Sequence, residues 1–149
     1  MSNKTELKQT IYRVTMVTVF LVYLIYLFYL VFFSHQYGRD TYHGTSNLIP
    51  FRTIYNYLRA PCHPRVVFIN IVGNIVAFLP MGFFLPLIFK KMRKATRLLI
   101  SVTLVTTIIE TGQLISGVGA FDIDDIILNI IGGFAGFLMY RFYNYLTTN

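Results

Sequence analysis

The chain reads as an all-α, polytopic membrane protein: a four-transmembrane-helix bundle with its N- and C-termini cytoplasmic. Three observations predict this. Of 149 residues, 55% are hydrophobic and only 13% charged, with a mean hydropathy of +0.58, whereas soluble domains carry nearer a quarter charged residues. The apolar residues collect in long runs. The basic residues collect in the segments between those runs, and unevenly.

Residues 14–33 and 66–89 carry no charged side chain, and between Arg97 and Asp122 the only charge is Glu110. A shorter apolar run lies between Asp125 and Arg141 and is extended by Phe142, Tyr143 and Tyr145. A helix needs about 20 residues to cross the hydrocarbon, so the fourth span requires Arg141 to snorkel or its Asp125 end to dip. The predicted helices are 11–33, 66–89, 97–116 and 124–146, within one domain over 1–149. A short N-terminal arm, an outer loop at 34–64, a basic turn and an acidic turn make up the rest. Lys4, Lys8 and Arg13 would suit a signal peptide. The run behind them is too long, however, and no small-x-small site follows it, so the first span reads as retained.

Lys4, Lys8, Arg13, Lys90, Lys91, Arg93, Lys94, Arg97 and Arg141 fall on one side of this topology, and Arg39, Arg52, Arg59 and Arg65 on the other. That bias sets the orientation. It also accounts for the net charge of +7 without a nucleic-acid partner, since the charges form no continuous basic surface. Cys62 is the single cysteine, so no intramolecular disulfide forms. Without Trp, Tyr12, Tyr140, Tyr143 and Tyr145 are placed to form a cytoplasmic-side aromatic belt.

The spans are not uniformly apolar. In "NIVGNIVAFLPMGFFLP" (70–86), Asn70 and Asn74 share a helix face with Gly73 and Ala77. A small-xxx-small pair lets a neighbouring helix approach, so the asparagines point at protein. Pro80 and Pro86 are expected to kink or loosen the helix and free backbone carbonyls. On the third span Thr103, Thr106, Thr107, Glu110 and Gln113 follow helical spacing. On the fourth, Asp122, Asp125, Asn129, Gly132, Gly133 and Gly136 do the same, and Gly132 with Gly136 forms a GxxxG pair suited to homo-oligomer contact. At 1.5 Å rise per residue, Asn70 and Asn74 lie roughly 7 and 13 Å inside the outer boundary, and Glu110 and Asn129 about 10 Å. The stripes therefore converge on one outward-facing polar pocket. Interhelical amides also serve as glue, worth about 0.6 kcal/mol each. Glu110 is different, because a carboxylate in mid-membrane costs several kcal/mol unless it is paired, solvated or protonated.

The acidic turn "GAFDIDDIILN" begins the fourth helix. One aspartate there serves as a cap. Three suggest a hard cation, Mg²⁺ or Ca²⁺, with Asp122, Asp125 and Glu110 as candidate ligands. The spacing is not that of an EF-hand. In the outer loop, "TSNLIPFRTIYNYL" reads as a turn leading into a short interfacial helix whose apolar side is Ile54, Tyr57 and Leu58. Arg52, Arg59 and Arg65 are placed to grip anions at headgroup level, or simply to anchor there. His35, His43, His63 and Cys62 lack zinc-site spacing. No nucleophile elbow, phosphate loop or HExxH motif occurs.

The segments "NLIPF" (47–51), "NIVGNIVAFLPMGFFLP" (70–86), "ETGQ" (110–113) and "FDIDDIILNIIGGFAG" (121–136) together resemble the VanZ-like membrane proteins associated with teicoplanin resistance. Members often carry an arginine before the acidic turn, where this chain has "GVGA". The resemblance implies a multi-pass protein of the bacterial cytoplasmic membrane that lowers susceptibility to lipoglycopeptides. It marks Asn70, Asn74, Glu110, Gln113, Asp122, Asp125 and Asn129.

Three functions remain open at this stage. In the first, the pocket residues and Arg52 bind a lipoglycopeptide or a lipid-linked cell-wall precursor amid membrane lipids. In the second, Glu110 or Asp125 is the general base of an intramembrane enzyme, with or without a bound metal, acting on an envelope lipid or peptide. The third is a small transporter or proton relay, for which the absence of an inverted repeat is unfavourable.

Overall fold

The computed structural model describes residues 2–33, 46–59 and 64–148. Five α-helices follow in order: α1 (Ser2–Phe33), α2 (Arg52–Arg59), α3 (Pro64–Ile88), α4 (Ala95–Ser116) and α5 (Ile123–Thr148). All but α2 are long and apolar enough to cross a membrane. The all-α, four-span architecture is therefore the one expected, and the chain is a multi-pass membrane protein. A 3₁₀ turn at Lys90–Arg93 joins α3 to α4.

α1 starts at Ser2, well before residue 11, so the expected N-terminal arm is helical. Residues 2–13 contain no Gly or Pro, and Lys4, Glu6, Leu7 and Lys8 are good helix formers that extend the span into solvent. α3 runs as one element through Pro80 and Pro86. Side chains from other segments reach its carbonyls near the two prolines. The Tyr23 hydroxyl donates to Ala77 O at 2.8 Å and Arg93 Nε to Pro86 O at 3.4 Å. Such partners let a membrane helix tolerate proline. α4 stops where Gly117 turns left-handed (φ 68°) and its N–H caps the carbonyls of Gln113 and Leu114, a glycine C-cap.

α3 and α5 lie side by side and parallel, with α4 the return stroke between them. Glycine sets their separation. A Cβ on Gly132 would overlap the Ile75 carbonyl, and one on Gly136 the Leu79 carbonyl. One on Gly82 would overlap the Gly133 carbonyl. The small-residue face of Gly132 and Gly136, a candidate contact between copies, packs here against the α3 backbone of the same chain. Val102 of α4 packs against Gly133.

The buried apolar core comprises Leu27, Val31, Phe78, Met81, Leu98, Val102, Phe137 and Tyr140. Tyr140 therefore belongs to the core and not to the expected belt. Tyr12 and Tyr143 bring their hydroxyls to 3.4 Å, and Tyr145 is exposed. Large apolar side chains such as Ile25, Ile108, Ile115 and Phe142 face outward, as lipid contact requires.

Candidate functional site

The site lies at the end of the bundle where α3 and α5 begin, α4 ends and α2 docks. α2 has no capping side chain of its own, since Phe51 precedes it and adopts φ 65°, a region that disfavours bulky residues. Asp124 supplies the cap from α5. Its Oδ1 accepts the Phe51 N–H, and its Oδ2 accepts Thr53 N–H at 2.7 Å and Ile54 N–H at 3.1 Å. Asp124 is fully buried. Beside it, Asn47 and Asp122 form an isolated parallel bridge, with Asn47 N–H to Phe121 O at 2.8 Å and Ile123 N–H to Asn47 O at 3.0 Å. The Asp122 carboxylate accepts Asn47 Nδ2 at 2.9 Å, Thr53 Oγ1 at 2.6 Å and its neighbour Asp124 N–H at 2.8 Å. Two of the three aspartates of the turn thus clamp the 47–54 segment onto α5.

The third aspartate faces inward. Asp125 lines a cavity together with Asn70 and Asn74 from α3, Glu110 and Gln113 from α4 and Asn129 from α5, closed on the α1 side by Leu27, Leu30 and Val31. The six polar residues expected to converge from three helices do so. Asp122 and Arg52 are not in the lining. Asp122 is turned into the clamp, touching the site only through its backbone N–H, which donates to Glu110 Oε2 at 3.1 Å. Arg52 sits exposed on the first turn of α2.

Each carboxamide has a defined partner. Asn74 Nδ2 donates to Asp125 Oδ1 at 2.6 Å and Asn129 Nδ2 to Thr106 Oγ1 at 2.6 Å. Gln113 Nε2 donates to Val31 O at 3.2 Å, and Asn70 Nδ2 to Val66 O in its own helix at 2.8 Å. Asn129 Oδ1 is buried with no partner. Thr103 and Thr107 bond back to their own helix. Of the threonine stripe, only Thr106 therefore reaches across to α5.

The cavity measures about 60 Å³, room for a few waters or one small functional group at roughly 10–15 Å³ per water. Glu110 is 3% exposed, and no Lys, Arg or His contributes to the lining. The expected cation set is not assembled. With Asp122 engaged by Asn47 and Thr53, no group of three or more His, Cys, Asp or Glu among the described residues is arranged to hold a metal. His35, His43, Cys62, His63 and Arg39 lie outside the described residues.

The clamp residues Asn47, Thr53 and Asp124 carry roles that sequence spacing did not assign. The available signal was an eight-residue helix whose preceding position is Phe51, with no Ser, Thr, Asp or Asn to cap it. A partner in trans is then required.

A family profile for VanZ/LLP1 matches residues 20–144, which include every residue of the clamp and the cavity. The chain belongs to the VanZ/LLP1 family. A similar curated protein is Protein VanZ of Enterococcus faecium, 33% identical over 134 residues that cover 90% of this chain and 71% of that protein. No solved structure matches the chain significantly. In this VanZ/LLP1 member, the motif segments around "NLIPF", the Asn70–Asn74 pair, "ETGQ" and the acidic turn meet at one end of the bundle. One half builds the clamp and the other the cavity.

Proposed function

We propose that this VanZ/LLP1 protein lowers the susceptibility of a bacterial cell to teicoplanin-type lipoglycopeptides. It does so from the cytoplasmic membrane, by holding part of the drug or of a lipid-linked envelope component in the cavity between α3, α4 and α5. The basic bias supports an orientation with the cavity in the outer half of the bilayer. The supporting observation is the pair Glu110 and Asp125, lining one small cavity with four carboxamides and no basic partner. Carboxylates withdrawn from water in a membrane cost several kcal/mol and persist where function needs them. The cavity volume limits what enters it to a projecting group, so the body of any large ligand rests outside it.

The test is teicoplanin and vancomycin susceptibility of a sensitive host carrying the wild type or Glu110→Gln at matched membrane levels. The expected result is protection against the lipidated drug by the wild type and its loss in the mutant. Undiminished protection by Glu110→Gln would remove the cavity from the activity.

A second reading follows from the same two carboxylates sharing a cavity with room for water: Glu110 or Asp125 as general base in the modification of an envelope lipid or peptide. It requires a covalently altered envelope component, visible by mass spectrometry in cells carrying the wild type and absent with Asp125→Asn.

A further inference from the structure

We propose that the group this cavity receives is a primary ammonium. The inference rests on the cavity being the binding site and adds the chemistry of what binds.

The lining is rich in acceptors and lacks cations. Glu110 and Asp125 each keep a carboxylate oxygen beyond those used by Asp122 N–H and Asn74 Nδ2. Gln113 and Asn70 use their nitrogens on backbone carbonyls, which only accept, so their oxygens are not engaged in those bonds. Asn129, in the same lining, has a buried Oδ1 without a partner. A buried carboxamide oxygen without a donor costs about 1–3 kcal/mol, and native structures seldom leave one without cause. These groups call for a compact donor with positive charge. An anion would face two carboxylates with no basic residue to offset them. A divalent metal would want a third carboxylate, and Asp122 is committed elsewhere. An –NH₃⁺ group has three donors, a full charge and a size within about 60 Å³.

The experiment uses the purified full chain in detergent, with thermal unfolding followed against added methylammonium, tetramethylammonium, sodium and calcium chlorides at matched ionic strength. Methylammonium should raise the midpoint in a saturable way, while tetramethylammonium, which has the charge but no N–H, should not. Glu110→Gln and Asn129→Leu should each weaken the methylammonium effect about tenfold or more. Equal stabilisation by tetramethylammonium would overturn the proposal. So would calcium saturating first and blocking methylammonium, or no shift with any probe. The wild-type comparison between the two ammonium ions stands even if a variant fails to fold.

Vesicles separate the two sources of such a group. If a lipid headgroup amine fills the site, the methylammonium effect shrinks in phosphatidylethanolamine relative to phosphatidylcholine. If the amine arrives on a soluble molecule, it is the same in both. Susceptibility that depends on Glu110 without methylammonium binding would sink this inference and leave the proposed function standing. Binding without such dependence would do the reverse.

Discussion

Asn70 and Asn74 stand one helical turn apart on α3 and line the same cavity, yet their bonds differ in kind. Asn70 returns its N–H to Val66 O in its own helix, whereas Asn74 crosses to Asp125 on α5. Replacing Asn70 by Leu removes a local bond to a carbonyl already within a helix. The thermal midpoint should therefore change little. Asn74→Leu leaves Asp125 without its donor and should cost about 1–3 kcal/mol, read as a lowered midpoint of the purified protein. Equal effects would mean that the interhelical bond is not what Asn74 contributes. Helical spacing made the shared face of the two residues legible, because period alone decides which side chains stack. It could not show which amide leaves its helix, because that depends on a partner fifty-one residues away. Asn129 is the same case. Its depth followed from counting residues, while its orphaned oxygen follows only from packing.

Two contacts between elements hold the site's frame, and each gives a test. Asp124 caps α2 from α5 and holds Phe51 in its left-handed conformation. Asp124→Asn removes the charge and half the acceptor capacity. Hydrogen exchange at the Phe51, Thr53 and Ile54 amides should then accelerate about tenfold or more, while α3 and α4 are unchanged, since one such charged bond is worth about 1.5–3 kcal/mol. Unaltered exchange would show α2 to be held by something else. The α3–α5 seam is stricter. Gly136→Leu sets a side chain against the Leu79 carbonyl, where backbone cannot yield. The variant should lose several kcal/mol or fail to accumulate in membranes, more severely than the usual 1–3 kcal/mol of overpacking between side chains. The GxxxG spacing announced a close helix contact but not its partner. The acidic turn announced an unusual charge density that suited a cation equally well. What decided both was the route of the chain, which lays α3 along α5 and brings residues 47–54 back to the acidic turn.

For the molecule as a whole, the basic residues early in α1 (Lys4, Lys8, Arg13), those from Lys90 to Arg97 around the α3–α4 turn, and Arg141 in the second half of α5 predict termini on the cytoplasmic side. A C-terminal fluorescent-protein fusion should therefore be bright and an alkaline-phosphatase fusion at the same point inactive. The opposite pair of results would invert the protein and turn the cavity to the cell interior. The spans were legible because about 20 apolar residues are a requirement of bilayer thickness, independent of tertiary structure. The start of α1 was less so, because the helix continues past the membrane where hydropathy gives no signal. The parallel packing of α3 on α5 has a consequence for how the protein is made. Helices leave the ribosome in order, and α5 follows the other four. Until it emerges, Asn74 and Thr106 have no mates and the α2 segment has no cap. A nascent chain halted before Ile123 is therefore a three-span species with bare polar groups facing lipid. Such a chain should be cleared from the membrane faster than one that includes α5, since its polar groups gain their partners only with that helix.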